Sequence, residues 1–204
     1  MSNTRADQAL ETKQKLLDGA LALFSEQGYS KTSIRALARK VGLSDGILYH
    51  HFPAGKQEIL RVLLAQGVQS ALQQLSQSNQ NLEAAPIRQV LNTLCELSVQ
   101  LFSEHHALLK IILRESESMQ LDEIKVIDQL FQTRQKWLAE LLAQRYEQGE
   151  VRQMNFNLAA QQFMAINIQY GFSHLLNLNI GCDIADPQQR SQMIQHLLIL
   201  WKVD

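Results

Sequence analysis

Apolar residues recur along this chain at intervals of three and four, and no stretch alternates apolar with polar. That period belongs to helices with one buried face. Leu16, Leu17, Ala20, Leu23 and Phe24 form the first stripe and Gly28 stops it, which predicts helix 1 from about Asp7 to Gln27. Ile34, Leu37, Ala38 and Val41 mark a short second helix. Leu48 and Phe52, four apart, face inward from a short third. A long stripe from Ile59 through Leu63, Leu64, Val68 and Leu72 to Leu75 predicts helix 4, about Lys56 to Gln80, with a polar end over 73–80 expected to fray. Pro86 opens helix 5, to about Phe102. His105–Glu117 reads as helix 6, and Asp122 to about Gln148 as helix 7, stopped by Gly149. Asn155 or Asn157 caps helix 8, which runs to about Asn179, and Pro187 opens helix 9, to about residue 203. The chain is therefore expected to be all-α, with about nine helices.

Residues 33–52 have the pattern of a helix-turn-helix. The hydroxyl of Ser33 suits an N-cap, and Gly42 suits a helix end because it enters the left-handed region without a Cβ clash. Ser44 caps the next helix, with Asp45 in its first turn, where an anion favours the helix dipole. Ile47, Tyr49 and His50 lie on faces other than the buried one. A helix this short has little reason to persist except to present its outer face, and in a helix-turn-helix that face enters the DNA major groove.

Composition narrows the alternatives. The 204 residues are 46% hydrophobic, enough for a substantial core, with only three prolines and nine glycines. No run of 18 apolar residues occurs, so no membrane span is expected, and the first residues lack the apolar stretch of a signal peptide. Cys95 and Cys182 are far apart without metal-ligand spacing and read as reduced, structural thiols of a cytoplasmic protein. Net charge is −1, but it is unevenly placed: residues 1–66 hold nine Lys/Arg against six Asp/Glu, the remainder ten against fourteen. A basic N-terminal part on an acidic body suits a chain that offers one end to phosphates. Glu104, His105 and His106 are adjacent and point about 100° apart on a helix, which does not make a metal site. No Ser/His/Asp order, phosphate loop or Cys/His cluster is present, so neither catalysis, a cofactor nor a metal is expected.

Leu16-Leu17, the run from Ala20 to Phe24, Gly28-Tyr29, Thr32-Ser33, Ile34, Leu37-Ala38, Gly42-Leu43-Ser44, Leu48-Tyr49-His50-His51-Phe52 and Lys56 together resemble the TetR/AcrR family of transcriptional regulators. The resemblance covers residues 12–60. Asp45, the apolar Ile47 and the turn Pro53-Ala54-Gly55-Lys56, one residue longer than usual, depart from the family pattern and leave the operator sequence open.

The resemblance implies a three-helix DNA-binding domain over residues 10–70 and a helical effector-binding and dimerisation domain over 71–204. By position, backbone N–H groups at Ser33–Ile34 and Ser44–Asp45 face phosphates. Tyr49, His50 and Lys56 are phosphate contacts, and Ser44, Asp45, Gly46 and Ile47 project towards bases. Ile47 suits a thymine methyl, and Asp45 either accepts from cytosine N4 or stabilises its own helix. Arg35 and Arg39 reach the DNA backbone or stay solvated. Polar candidates for an effector pocket are Glu96, His105, Glu115, Asn167, Gln169, Tyr170 and His174, with Trp137 beside them. The last two helices, about 157–179 and 187–203, are apolar on more than one face, which suits a homodimer. The expected protein is a cytoplasmic homodimeric repressor, released from a palindromic operator by a small molecule and independent of membranes. A ligand-dependent activator, or a helical interaction protein that no longer reads DNA, are the alternatives.

Overall fold

The computed structural model describes residues 4–115 and 121–202, and no side chains at 79–81, 121–124 and 126. Among the described residues there are nine helices and no strand: α1 Arg5–Gln27, α2 Ile34–Lys40, α3 Asp45–His51, α4 Lys56–Leu82, α5 Ile87–Glu104, α6 His106–Glu115, α7 Leu121–Glu147, α8 Phe156–Leu176 and α9 Pro187–Trp201. The expected extensions of α6 to Glu117 and of α9 to residue 203 lie outside the described residues.

Local chemistry sets the helix ends. Thr4 and Asp7 form a reciprocal capping box, with the Thr4 N–H donating to the Asp7 carboxylate at 2.9 Å, so α1 begins two residues earlier than its apolar stripe suggests. Those bonds hold the Asp7 carboxyl below its ordinary pKa, the Thr4 side chain contributing most. Ser33 accepts from the Ala36 N–H at 3.1 Å and Ser44 from the Ile47 N–H at 3.4 Å. Asn155, rather than Asn157, caps α8 through the Leu158 N–H at 3.0 Å. Asp186 caps α9 just ahead of Pro187. Helix α8 stops three residues before the expected Asn179: Asn177 turns left-handed at φ 52°, and the Leu178 N–H closes on the Ser173 carbonyl at 2.8 Å.

The chain divides into two compact units. The first holds residues up to Gln69 together with His105–Ile124, and the second holds Ser70–Glu104 and residues from Lys125 on. Helix α4 contributes to both. The first unit's core joins Leu16, Leu17 and Phe24 of α1 to Leu37, Leu48, Phe52 and Ile59, with Leu108 and Ile111 of α6 closing it. Burying a side chain such as Phe24 contributes about 1.5–3 kcal/mol. Assigning all residues from 71 on to a second domain therefore needs correcting for α6: its apolar face belongs to the first core, where Ile111 is fully buried. The second unit's core gathers Leu91 and Cys95 of α5, Leu138 and Leu142 of α7, Phe163 of α8, and Leu198 and Trp201 of α9.

Candidate nucleic-acid interface

In the first unit, α2 and α3 are seven residues each and are held from below by Leu37, Ala38, Leu48 and Phe52. What remains outside is the α3 surface. Gly46 has only the Ser44 hydroxyl near it, so nothing obstructs the approach of a large partner to its backbone. Ile47 is 39% and Tyr49 49% exposed, and His50 beside them is exposed too. Two apolar or aromatic side chains stand in solvent here because the helix keeps its one inward face for Leu48. Ile34 is half-buried, and with the Tyr49 ring it lies over Gly55, whose φ of 63° shapes the turn before α4.

Arg35 and Asp45 approach to 4.0 Å with side chains 80% and 46% exposed. An ion pair so open to water contributes little, so it fixes neither side chain. The Ser33 and Ser44 hydroxyls are engaged as caps, accepting from the Ala36 and Ile47 N–H groups. His51 is half-buried behind His50, their rings edge-on at 5.3 Å. Burial first, then the neighbouring His50 and Lys13, push its pKa below the ordinary value. Lys13 lies over the Phe52 ring at 5.5 Å.

Lys56 stands apart from the expected phosphate contacts. Its ammonium donates to the carbonyls of Tyr29, Ser30 and Thr32 at 2.9, 3.3 and 3.2 Å and sits 4.4 Å over the Tyr29 ring. An ammonium has three donors, and these carbonyls take them. The residue ties the loop ahead of α2 to the start of α4.

Two expected effector residues also belong to this unit. Glu115 is buried, and its carboxylate accepts from the Ser30 hydroxyl at 2.7 Å. Next to it, Arg114 donates to the Ser25 and Glu26 carbonyls at 3.4 and 3.3 Å. His105 is half-buried beside Gly67 and Leu108. Both residues lie in the first unit, where α6 packs on α1. The grip of Glu115 and Lys56 on residues 29–32 departs from the effector and phosphate contacts expected of them, and its partners lie 24 or more residues away in the chain.

In the second unit the remaining candidates have four sets of partners. Glu96 is exposed and accepts from Arg190 and Asn92, each at 3.0 Å. Trp137 lies under the Arg134 guanidinium at 4.1 Å, and burial draws the Arg134 pKa down to about 10. Asn167, Tyr170 and His174 share one face of α8. Asn167 is buried, and Tyr170 stacks on His174 at 5.9 Å and meets Phe102 edge-on at 6.3 Å. Burial, then Asp183, raise the Tyr170 pKa. Gln169 and Ser173 both donate to the Ile180 carbonyl and fasten the turn after α8. Burial pushes the Cys95 thiol up to about 12, in keeping with a structural role. No group of His, Cys, Asp and Glu among the described residues is arranged to hold a metal.

Comparison with known proteins falls on the same surface. The profile of the bacterial regulatory proteins, tetR family, matches residues 16–63. The transcriptional regulator SrpR of Pseudomonas putida is 42% identical over 65 residues, 32% of this chain and only 30% of SrpR. The transcriptional regulator UidR of Escherichia coli K12 is 21% identical over 175 residues, 84% of each chain. The crystal structure of AibR in complex with isovaleryl coenzyme A and operator DNA shares the fold at a TM-score of 0.67 and 21% identity, covering 92% of this chain and 98% of that one. The strong identity lies in the unit whose α3 presents Gly46, Ile47, Tyr49 and His50, and over residues 16–63 of that unit the chain is similar to the tetR family of bacterial regulatory proteins.

Proposed function

We propose that the protein is a sequence-specific DNA-binding transcriptional regulator, a repressor that leaves a palindromic operator when a small molecule binds. The observation that carries this reading is the α3 surface: an open Gly46 backbone flanked by exposed Ile47, Tyr49 and His50, on a helix pinned from behind by Leu48 and Phe52. Ile47 contacts a thymine methyl, and Ser44 and Asp45 lie at the edge of the bases. Tyr49, His50, Arg35 and the first-turn N–H groups around Ile34 and Asp45 face phosphates. Lys56 acts from within, holding the loop that sets α2. The protein works by binding rather than catalysis.

A palindrome needs two heads about 34 Å apart, which requires a second copy. Phe172 and Leu176 of α8 are 46% and 56% exposed, and Ile199 and Leu200 of α9 are 69% and 44% exposed. Apolar surface of this extent on the last two helices is covered in a homodimer. No helix among the described residues is long and apolar enough to cross a membrane, and the protein acts on DNA in the cytoplasm. The AibR complex, which holds both isovaleryl coenzyme A and operator DNA, supports a small-molecule effector. Residues 10–70 serve DNA binding, and residues beyond, apart from α6, serve effector binding and dimerisation. The effector shifts DNA affinity only as far as it prefers one conformation.

The test is selection of retained fragments from random genomic DNA by the purified protein at moderate salt. One enriched palindrome is expected, with affinity that falls steeply as salt rises. No enrichment from a folded, helical protein, with and without cell extract, would sink the reading.

A further inference from the structure

We propose that the groove between α5 and α9 is a binding site for a small monocarboxylate with an apolar body, anchored by the Arg88 guanidinium. The assignment concerns a ligand site of the second unit and stands whether or not the protein reads DNA.

The groove is lined by Pro86, Arg88, Gln89 and Asn92 on one side and by Ser191 and Ile194 on the other, and its volume is about 410 Å³. Cavities that hold small ligands have volumes of roughly 300–1,000 Å³. Arg88, Gln89 and Asn92 stand on one face of α5 because their spacing is one helical turn, and Ser191 and Ile194 do the same on α9. Ile194 is 1% exposed and closes the floor, while Pro86 adds an exposed apolar ring at one end.

The walls are fixed in place by Arg190. Its side chain is 12% exposed, and it donates from α9 to Asn92 and Glu96 of α5, each at 3.0 Å, and to the Ile184 carbonyl at 2.9 Å. Three partners on two elements hold the α5 and α9 faces at a set separation. A groove built in advance leaves little ordering to oppose a ligand.

The lining carries one charge. Arg145 and Arg190 of this unit are spent on carbonyls and carboxylates inside the protein. Arg88 is exposed and, among the described residues, has no hydrogen bond or ion pair. No carboxylate lines the groove: Glu96 is held by Arg190 and Asn92, and Glu150 by Arg145 and the Ile87 N–H. A cationic ligand would therefore meet only Arg88. A guanidinium matches a planar carboxylate through two parallel N–H donors. One such group balances one negative charge, whereas a phosphate dianion calls for a second cation, and Arg190 is already committed. Gln89 and Ser191 add uncharged donors at the rim.

The test uses the full-length protein and three probes that share one ring system: 2-naphthoate, its neutral amide 2-naphthamide, and 2-naphthylmethylammonium. NMR follows the Arg88 side-chain Nε–H and the backbone amides of residues 88–92 and 191–194. Naphthoate is expected to shift these signals and to saturate with a Kd of about 1 mM or lower. Naphthamide should bind about tenfold more weakly and the ammonium not at all. Arg88→Met is expected to weaken naphthoate about tenfold, leave naphthamide unchanged and leave the melting temperature where it was. Ser191→Trp, which fills the groove, should weaken both. No saturating shift at these residues, naphthamide as tight as naphthoate, or naphthoate binding untouched by Arg88→Met would overturn the proposal. So would a melting temperature lowered by about 4 °C in Arg88→Met, which would assign the guanidinium to the fold.

Discussion

Lys56 in the first unit and Arg145 in the second do the same work. Each is a cation folded back onto three carbonyls: Tyr29, Ser30 and Thr32 for Lys56, and Leu82, Glu83 and Ala85 for Arg145. Around them the units differ. In the first, polar groups find partners in the protein: Thr32 on the Gly28 carbonyl at 2.8 Å, Ser30 on Glu115, and, at the surface, Ser33 and Ser44 on their helices. Among the described residues of this unit, the buried His105 Nε2 has none. In the second, Gln74 and Asn167 keep a buried oxygen without a donor. A surface that grips a stiff polyanion gains from being rigid beforehand, because little ordering remains to oppose binding. An interior without that demand can leave polar atoms unmatched, at about 1–3 kcal/mol each.

Four substitutions or conditions put that contrast at risk, in falling order of effect. Arg145 is nearly enclosed, with its side chain 6% exposed and Glu150 at 3.5 Å. Arg145→Met is expected to cost about 3–5 kcal/mol in urea denaturation, since it strips three carbonyls and a carboxylate of their donor. Lys56→Met, less buried, is expected to cost about 2–3 kcal/mol and to abolish DNA retention while the protein still melts cooperatively. A neutral Lys56→Met would show that the first unit does not depend on its internal bonds.

Ser30→Ala comes next. It removes the hydroxyl that Glu115 accepts from, and a loss of about 1 kcal/mol with weakened DNA binding is expected. Asn167→Leu, which removes a buried oxygen that has no donor, is expected to hold or raise the melting temperature, so the two melting curves measured side by side sharpen the contrast.

The smallest effect is the pH response of His51. Its folded pKa lies below the ordinary 6.5 because burial disfavours the charged ring. Protonation therefore favours the unfolded chain: the stabilisation is complete above about pH 6.5 and is lost as pH falls below it. Denaturation of His51→Gln at pH 7.5, 6 and 5 should show a shallower decline than the natural sequence, and an identical decline would remove His51 from the account.

Helix periodicity made all nine helices legible, and cap chemistry placed several ends, because Ser33, Ser44 and Pro187 act within one turn of themselves. Ends set by other forces were missed. The start of α1 depends on a Thr4–Asp7 pair ahead of any apolar residue. The end of α8 depends on Asn177 entering the left-handed region, which Asn does without announcing it. The α3 surface was readable because exposure there follows directly from helical period.

The positions of Lys56 and Glu115 were not readable, since each pairs with residues 24 or more places away and a lone charge carries no sign of its partner. Gln74 and Ser78, half-buried on one face of α4, were overlooked for a different reason. In a glutamine- and serine-rich stretch, polarity suggested a fraying end, and nothing in the period says that one polar face turns inward.

The first unit is discontinuous in the chain. Its core is completed by Leu108 and Ile111, and its loop at residues 28–30 by Arg114 and Glu115, more than forty residues past the matched segment 16–63. A chimaera made by cutting after Gln69 and joining this head to a foreign regulator would carry the exposed α3 but leave Ile111's place in the core unfilled and Ser30 without its acceptor. Transplanting the proposed DNA specificity therefore calls either for a graft that carries α6 along, or for exchanging only the outward residues of α3 within an intact recipient.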